Sequence, residues 1–318
     1  MGKSFRSGFI GLMAGLLLAG CQQNSAVEPV LDPNIPTRPV DHVMGTSQVP
    51  VAPKRIVVLD TTPLDAVLAL GVDPVGTIRY GLPPGYLGQK ASDIEVIGHF
   101  NQPNLEAILN LKPDLILGAK SISESLYPKL SRIAPTVFIE GAGYSWDWKN
   151  NFRIYANALN KREEAEQLIA DYEQQLSDLK AALTPSPASL TVSVLINSAN
   201  GLIAQTPTSF SGAVLKEIGY QRNAVQGSDE QFFVRLSRED LDSLEGDILF
   251  LIYYPDDVVK TTPKDEFTND RLWSQLDVVQ RDAVCEVKGE VWAAGRSILA
   301  AQQILEDIKL CIEQIYSV

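Results

Sequence analysis

Seven side chains that could bind a large anionic ligand follow predicted strands of this sequence or lie just before a predicted helix. Arg79 and Tyr80 come directly after a predicted strand at Val75–Ile78, and Tyr253 follows another at Ile248–Ile252. Arginine binds carboxylate-like or catecholate oxygens, while aromatic rings pack against the apolar surface of a ligand. The full set of candidate ligand-binding residues is Arg79, Tyr80, Tyr144, Trp146, Arg235, Tyr253 and Arg296. Such a lining suits a bulky molecule with an organic shell and anionic oxygen donors.

Each of these side chains also has a purely structural interpretation. Tyr253 alternates along its strand and could belong to the core, and Arg235 could pair with Glu239 or Asp240 on the surface. The protein has few side chains that could ligate a transition metal, because the chain has only 2 histidines and 3 cysteines. His99 is interpreted as a loop histidine rather than a metal ligand. We therefore expect no cofactor, and any metal should arrive already chelated.

The N-terminus has the pattern of a bacterial lipoprotein signal. Lys3 and Arg6 precede an apolar run from Phe9 to Leu18 that is too short for an ordinary membrane span. The run ends in Leu-Ala-Gly followed by Cys21, the residue that takes the lipid in such a motif. We expect residues 1–20 to be removed and the chain to be anchored by lipid outside the cytoplasm, on the periplasmic face in a Gram-negative organism. Residues 21–49 are polar and proline-rich and are interpreted as a tether.

The composition describes a folded, acidic protein. Hydrophobic residues make up 45% of the 318 residues, which is enough for two α/β cores. The formal net charge of −12 makes nucleic acid an improbable partner, since an acidic surface repels phosphate. Outside the cytoplasm, Cys285 and Cys311 could form a disulfide, and two separate buried thiols are an equal alternative.

The elements that must position the candidate residues form two α/β units. Short apolar strands alternate with helices, which predicts mainly parallel sheets with helices on their faces. Between the units, Asp147–Ala182 shows apolar residues at helical spacing without glycine or proline, which predicts one long amphipathic helix. A further strand is predicted at Val287–Trp292, just before Arg296. We predict an N-terminal lobe at residues 50–145, a connecting helix at residues 146–184 and a C-terminal lobe at residues 190–318.

The second lobe repeats a motif of the first. Glu106 is followed eight residues later by Asp114 and a strand, and Glu239 is followed at the same distance by Asp247 and a strand. A second match, Val67–Gly71 with Leu215–Gly219, occurs in the same order. Two matches in one order indicate two similar, Rossmann-like lobes.

These residues resemble the periplasmic binding proteins for ferric siderophores and cobalamin. The resemblance covers almost the whole chain after the signal and is carried by Val49–Val57, Leu70–Gly76, Asn104–Glu106, Leu111–Ile116, Ile133–Val137 and Leu272–Leu276. It implies two lobes joined by one long helix, a ligand cleft between them, and a monomer that serves an ABC importer. In that family a glutamate on each lobe docks on arginines of the two-fold permease, and the matching residues here are Glu106 and Glu239. Two equivalent charges also suit a symmetric partner.

Three other functions remain open at this stage. Within transport, cobalamin or haem could replace the iron chelate, with Tyr80, Tyr253 or His99 as a haem ligand. The chain could also be an extracytoplasmic ligand sensor that serves no permease. An enzyme is disfavoured, because the sequence lacks a phosphate-binding glycine loop, a nucleophile elbow and a histidine cluster. The three candidate arginines favour a ferric chelate with anionic donors, such as a siderophore complex.

Overall fold

The computed structural model describes residues 33–79, 83–100, 102–198, 201–254 and 267–316. Within these residues the chain forms two α/β lobes and an N-terminal hairpin, β1 (Thr37–His42) with β2 (Gly45–Pro50). The predicted signal segment and lipid cysteine, Cys21, lie outside the described residues. So does Tyr80.

The first lobe contains a mainly parallel sheet in the order β6-β5-β4-β3-β7-β8, in which β6 alone of the described strands runs antiparallel to its neighbour. Its elements are β3 (Ile56–Val58), α1 (Thr61–Ala69), β4 (Gly76–Arg79), α2 (Gly88–Asp93), β5 (Val96–His99), β6 (Gln102–Pro103), α3 (Leu105–Asn110), β7 (Leu115–Ala119), α4 (Lys120–Ser123), α5 (Tyr127–Ile133) and β8 (Thr136–Ile139).

Two helices, α6 (Trp148–Ala158) and α7 (Arg162–Ala182), occupy the segment predicted as one continuous helix. The long helix of the predicted fold is α7; the prediction of an unbroken helix from Asp147 was wrong. Asn160 has φ 58°, its N–H bonds to the carbonyl of Asn157, and the next N–H, of Lys161, bonds to Ala156. This pair of bonds is a helix C-terminal motif that needs a left-handed residue. Asparagine tolerates that conformation, so α6 ends without glycine or proline.

The second lobe has its own sheet, in the order β12-β10-β9-β13-β14, with β11 paired to the start of β9. Its elements are β9 (Thr191–Ser198), β10 (Gly201–Gln205), α8 (Phe210–Ile218), β11 (Gln221–Arg222), β12 (Phe233–Leu236), β13 (Ile248–Tyr253), α9 (Arg271–Ser274), α10 (Asp277–Gln280), β14 (Val284–Lys288), α11 (Gly289–Trp292) and α12 (Ile298–Tyr316). The strand predicted at Val287–Trp292 is therefore misplaced. The strand ends at Lys288, and the apolar residues that follow it belong to a helical turn.

The tether predicted for residues 21–49 was wrong for its second half, which forms the hairpin. Residues 37–49, interpreted as flexible, form the two strands β1 and β2 packed on the first lobe. Val40 and Val49 are fully buried. His42 lies against Phe138, whose backbone N–H points at Nδ1 from 3.4 Å, and the Ser47 hydroxyl donates to the carbonyl of Thr136. The hairpin thus lies against β8, the edge strand of the sheet.

The aspartate of the repeated motif makes the same kind of contact in both lobes. Asp114 accepts hydrogen bonds from the backbone N–H groups of Lys54 and Arg55, both at 2.8 Å, just before β3. Asp247 accepts one from Thr191 at 2.7 Å, at the start of β9. Each aspartate precedes a strand, β7 or β13, that pairs in parallel with the first strand of its lobe. The same carboxylate clamp therefore aligns the two central strands of both lobes.

A layer of helices joins the lobes. Helix α12 of the second lobe packs on α7, α1 and α6, and the core there includes Trp148, Tyr155, Tyr172 and Trp292. Cys285 on β14 and Cys311 on α12 form a disulfide, with the Cα atoms 5.9 Å apart. This resolves the alternatives left by the sequence in favour of the disulfide.

Candidate functional site

The candidate site lies where the segment after β3 meets the segment between α11 and α12. Ligands of open parallel sheets bind outside the carboxyl ends of the strands. Asp60, two residues after β3, caps α1 by accepting from the N–H of Thr61. It also faces the loop that leads into α12. The N-terminus of α1 therefore lies beside the N-terminus of α12.

Arg296 forms an ion pair with Asp60 at this junction. Its Nη2 lies 2.9 Å and 3.2 Å from the two carboxylate oxygens of Asp60. The Arg296 side chain is 12% exposed and that of Asp60 is 1% exposed. Arg296 also has φ 53°, a conformation that is strained for a residue with a β-carbon. The structure thus places this predicted ligand-binding residue in a buried ion pair between the lobes.

Asp65 makes a second connection across the junction. Its carboxylate, fully buried on α1, accepts from the backbone N–H groups of Leu299 at 3.1 Å and Ala300 at 2.9 Å. These two groups belong to the first turn of α12, where helix geometry leaves N–H groups without intrahelical acceptors. Burial raises the pKa of Asp65 to about 7, against the opposing effect of the hydrogen bonds it accepts. Sequence reasoning missed Asp65, although an acid inside the apolar helix TTPLDAVLA was a visible signal.

Tyr86 completes the connection from the loop after β4. Its hydroxyl donates to Asp65 at 3.0 Å, and burial together with the nearby carboxylate raises its pKa well above the ordinary value. It therefore stays protonated and acts as a donor. Beside it, the N–H of Gly85 donates to Glu290 of the second lobe at 3.0 Å.

Arg79 ends β4, as predicted, and is half-buried. Its Nη2 donates to the carbonyl of Ser92 at 3.1 Å, while its buried Nε makes no hydrogen bond within the described structure. Its strand partner is His99 of β5, which is exposed and packs against Phe100. The guanidinium is thus oriented by one backbone carbonyl and keeps further donor capacity.

Arg235 lies on the edge strand β12 of the second lobe and is exposed. Its guanidinium carbon sits 5.4 Å from the ring centre of Phe233, which stacks edge-on with Phe232. The alternative pairing with Asp240 is not formed, because Asp240 accepts instead from Ser237. The structure thus places the Arg235 guanidinium beside one aromatic ring, that of Phe233.

Trp146 is 49% exposed in the 3₁₀ segment Ala142–Asp147 that leads into α6. It helps to line a cavity of about 600 Å³ with residues of the second lobe: Pro207, Thr208, Ala213, Lys216, Glu217 and Asp229. Tyr144 belongs to the same segment, and its side chain lies outside what the structure describes.

Tyr253 ends β13 and is 38% exposed, so it is not a core residue. It lines another cavity, of about 420 Å³, that also involves Tyr86 and the disulfide of Cys285 and Cys311. The structure therefore separates Tyr253 from Trp146, which borders a different cavity.

Glu106 and Glu239 are exposed at equivalent positions. Asn104 caps α3 two residues before Glu106, and Ser237 caps the 3₁₀ helix Arg238–Leu244 two residues before Glu239. Hydrogen bonds from its own backbone and from Ser237 lower the pKa of Glu239, which keeps it charged at neutral pH. Each lobe thus presents one glutamate in the first turn of a capped helix.

Two features are absent from the described ranges, 33–79, 83–100, 102–198, 201–254 and 267–316. No group of three or more His, Cys, Asp or Glu side chains there could hold a metal ion. No helix there is both long and apolar enough to cross a membrane.

A family model described as "Periplasmic binding protein" matches residues 56–291, and the chain belongs to this family. Among its relatives is "Probable siderophore-binding lipoprotein YfiY" of Bacillus subtilis, 36% identical over 95% of both chains. "Fe(3+)-citrate-binding protein YfmC" of the same organism is 28% identical over 93% of both chains. Among solved structures, Staphylococcus aureus SirA complexed with staphyloferrin B superposes with a TM-score of 0.77, at 26% identity over 87% of this chain and 99% of that one.

Proposed function

We propose that the chain is the substrate-binding lipoprotein of an ABC importer, which captures a ferric siderophore or similar iron chelate between its lobes and delivers it to the permease. The observation that carries this proposal is the 36% identity, over 95% of both chains, to a relative named as a siderophore-binding lipoprotein. The named ligands of the other two relatives, ferric citrate and staphyloferrin B, agree with it. The exposed or half-buried cations near aromatic rings supply the matching chemistry.

The ligand-binding residues that the geometry favours are Arg79 from the first lobe and Arg235 from the second. Both keep donor capacity, whereas Arg296 is used by Asp60. Trp146 and Tyr253, each partly exposed beside a cavity, are candidates for apolar contact. Tyr80 and Tyr144 remain candidates from the sequence.

Tryptophan fluorescence of the soluble chain tests this assignment. We expect saturable quenching by one class among ferric citrate, hydroxamate and catecholate chelates, with haem and cobalamin as competitors. Replacing Arg79 or Arg235 by Gln should weaken binding at least tenfold, while Arg271→Gln, an exposed arginine on α9, should leave affinity unchanged. Binding of haem or cobalamin alone would assign a different ligand, and binding of none would favour a sensor.

Docking through Glu106 and Glu239 is the second element of the proposal. Reversing either charge to Arg should abolish uptake of the radioactive iron chelate in cells without changing its affinity. Glu163→Arg is the matched control, because Glu163 is an exposed acid in the first turn of α7. Uptake that survives both reversals would contradict the docking role.

The lipid anchor at Cys21 is the third element of the proposal. With Cys21 replaced by Ser, the protein should leave the membrane fraction and no longer incorporate radioactive palmitate. A variant that remains in the membrane fraction would show that another segment holds it there.

A further inference from the structure

The first turn of α12 obtains its hydrogen-bond acceptors from the other lobe. Helix N-termini are ordinarily capped by a side chain from the residue just before the helix. Here Asp65, more than 230 residues away on α1, accepts from both Leu299 and Ala300. A carboxylate at a helix N-terminus is also favoured by the helix dipole. The two lobes are therefore joined by a directional contact as well as by apolar packing.

The loop after β4 is fastened to the same point. Tyr86 donates to the Asp65 oxygen that also accepts from Ala300. The phenol reaches this position because residue 295 is glycine, where a β-carbon would come within 3.0 Å of the Tyr86 hydroxyl and 2.2 Å of the β-carbon of Ala300. We name Asp65, Tyr86 and the first-turn amides of Leu299 and Ala300 the interlobe latch.

The latch holds residues that follow a candidate ligand-binding residue closely in the sequence. Arg79 ends β4 in the first lobe, and seven residues later Tyr86 is bonded at the lobe junction. The neighbouring Gly85 is held by Glu290 of the second lobe. A displacement of the second lobe would therefore displace Gly85 and Tyr86.

We propose that Asp65 and Tyr86 are positioning residues for ligand binding, which hold the 3₁₀ turn Gly85–Leu87 and the second lobe in the arrangement that the ligand requires. This inference rests on the proposed function. Asp65 is fully buried, so it acts through its contacts and does not touch the ligand, whereas Tyr86 is partly buried and acts through the hydroxyl that it donates to Asp65. Their contribution is preorganisation, which raises affinity by reducing the ordering needed on binding.

The test compares two tyrosine hydroxyls that donate to acceptors in different parts of the molecule. Tyr86→Phe removes the hydroxyl of the latch. Tyr155→Phe is the control, because the hydroxyl of Tyr155 on α6 donates at 2.8 Å to the backbone carbonyl of Gly118 on β7, a contact that does not involve α12. Each variant is measured for thermal unfolding, for ferric citrate, hydroxamate and catecholate binding by fluorescence, and for amide hydrogen exchange of the unliganded protein over residues 298–301.

We expect the two variants to lose similar thermal stability. Tyr86→Phe alone should accelerate exchange at Leu299 and Ala300 about tenfold and weaken chelate binding about tenfold, with unchanged maximal quenching. Equal affinities of wild type and Tyr86→Phe, or an equal affinity loss in Tyr155→Phe, would overturn the positioning role. A wild-type protein that binds none of the chelates would instead refute the proposed function, and the exchange measurement would still show whether the latch exists.

Discussion

Replacing Arg296 separates a structural role from a ligand-binding role. The side chain pairs with Asp60, which is 1% exposed, so Arg296→Met would leave a buried carboxylate without its counter-charge. Breaking a buried ion pair from one side costs roughly 3–5 kcal/mol of the free energy of unfolding. Asp60 would keep its hydrogen bonds from Thr61 and Thr62. The loss should therefore lie near the lower limit, at about 3 kcal/mol.

Urea unfolding of four proteins measures this interaction: wild type, Arg296→Met, Asp60→Asn and the double variant. Asparagine can still cap α1 but carries no charge, so the cost of Arg296→Met should fall to about 1 kcal/mol in the Asp60→Asn background. Equal costs in the two backgrounds would refute the ion-pair reasoning. A variant of native stability with lost chelate affinity would restore Arg296 to the ligand site.

Three further predictions concern stability. Replacing Cys285 and Cys311 together by Ala should lower the free energy of unfolding by about 3–4 kcal/mol, because the bond closes a loop of 26 residues; urea unfolding with and without reductant checks this. Burial lowers the pKa of His42 to about 4 from 6.5, so the unfolded chain binds more protons between these values. Stability should fall by about 1–2 kcal/mol as pH drops from 6.5 to 4, after allowance for its exposed part, and His42→Gln should lose this dependence. At Asn160, Val should destabilise by about 1 kcal/mol and Gly should be nearly neutral, as measured by thermal unfolding.

The sequence was most informative where structure is local. The short strands and helices of each lobe follow apolar runs and breakers, and the Glu-to-Asp spacing of the repeat corresponds to one clamp in both lobes. The hairpin was missed because its strands are rich in proline and polar residues, and its burial rests on Val40 and Val49. The break at Asn160 was missed because only its left-handed backbone, and no glycine or proline, ends the helix.

The contacts between the lobes could not be predicted from the sequence. Arg296 and Asp60 are 236 residues apart, and no local pattern relates them. Arg296 was assigned to the ligand from its position after a predicted strand, but that strand ends at Lys288. No pattern in the sequence therefore indicated that Arg296 pairs with Asp60. Arg79 and Arg235 remain predictions, since their assignment depends on a ligand.

With the lipid anchor proposed above, the position of the hairpin would also limit how far the folded protein can move from the membrane. About twelve residues lead from the proposed lipid on Cys21 to Pro33, which precedes the hairpin. Twelve residues reach at most about 40 Å when fully extended. A protein anchored in this way searches for its permease within a thin layer above the membrane. Encounter then depends on two-dimensional diffusion and on the number of molecules per membrane area, and dilution of the surrounding medium does not change it.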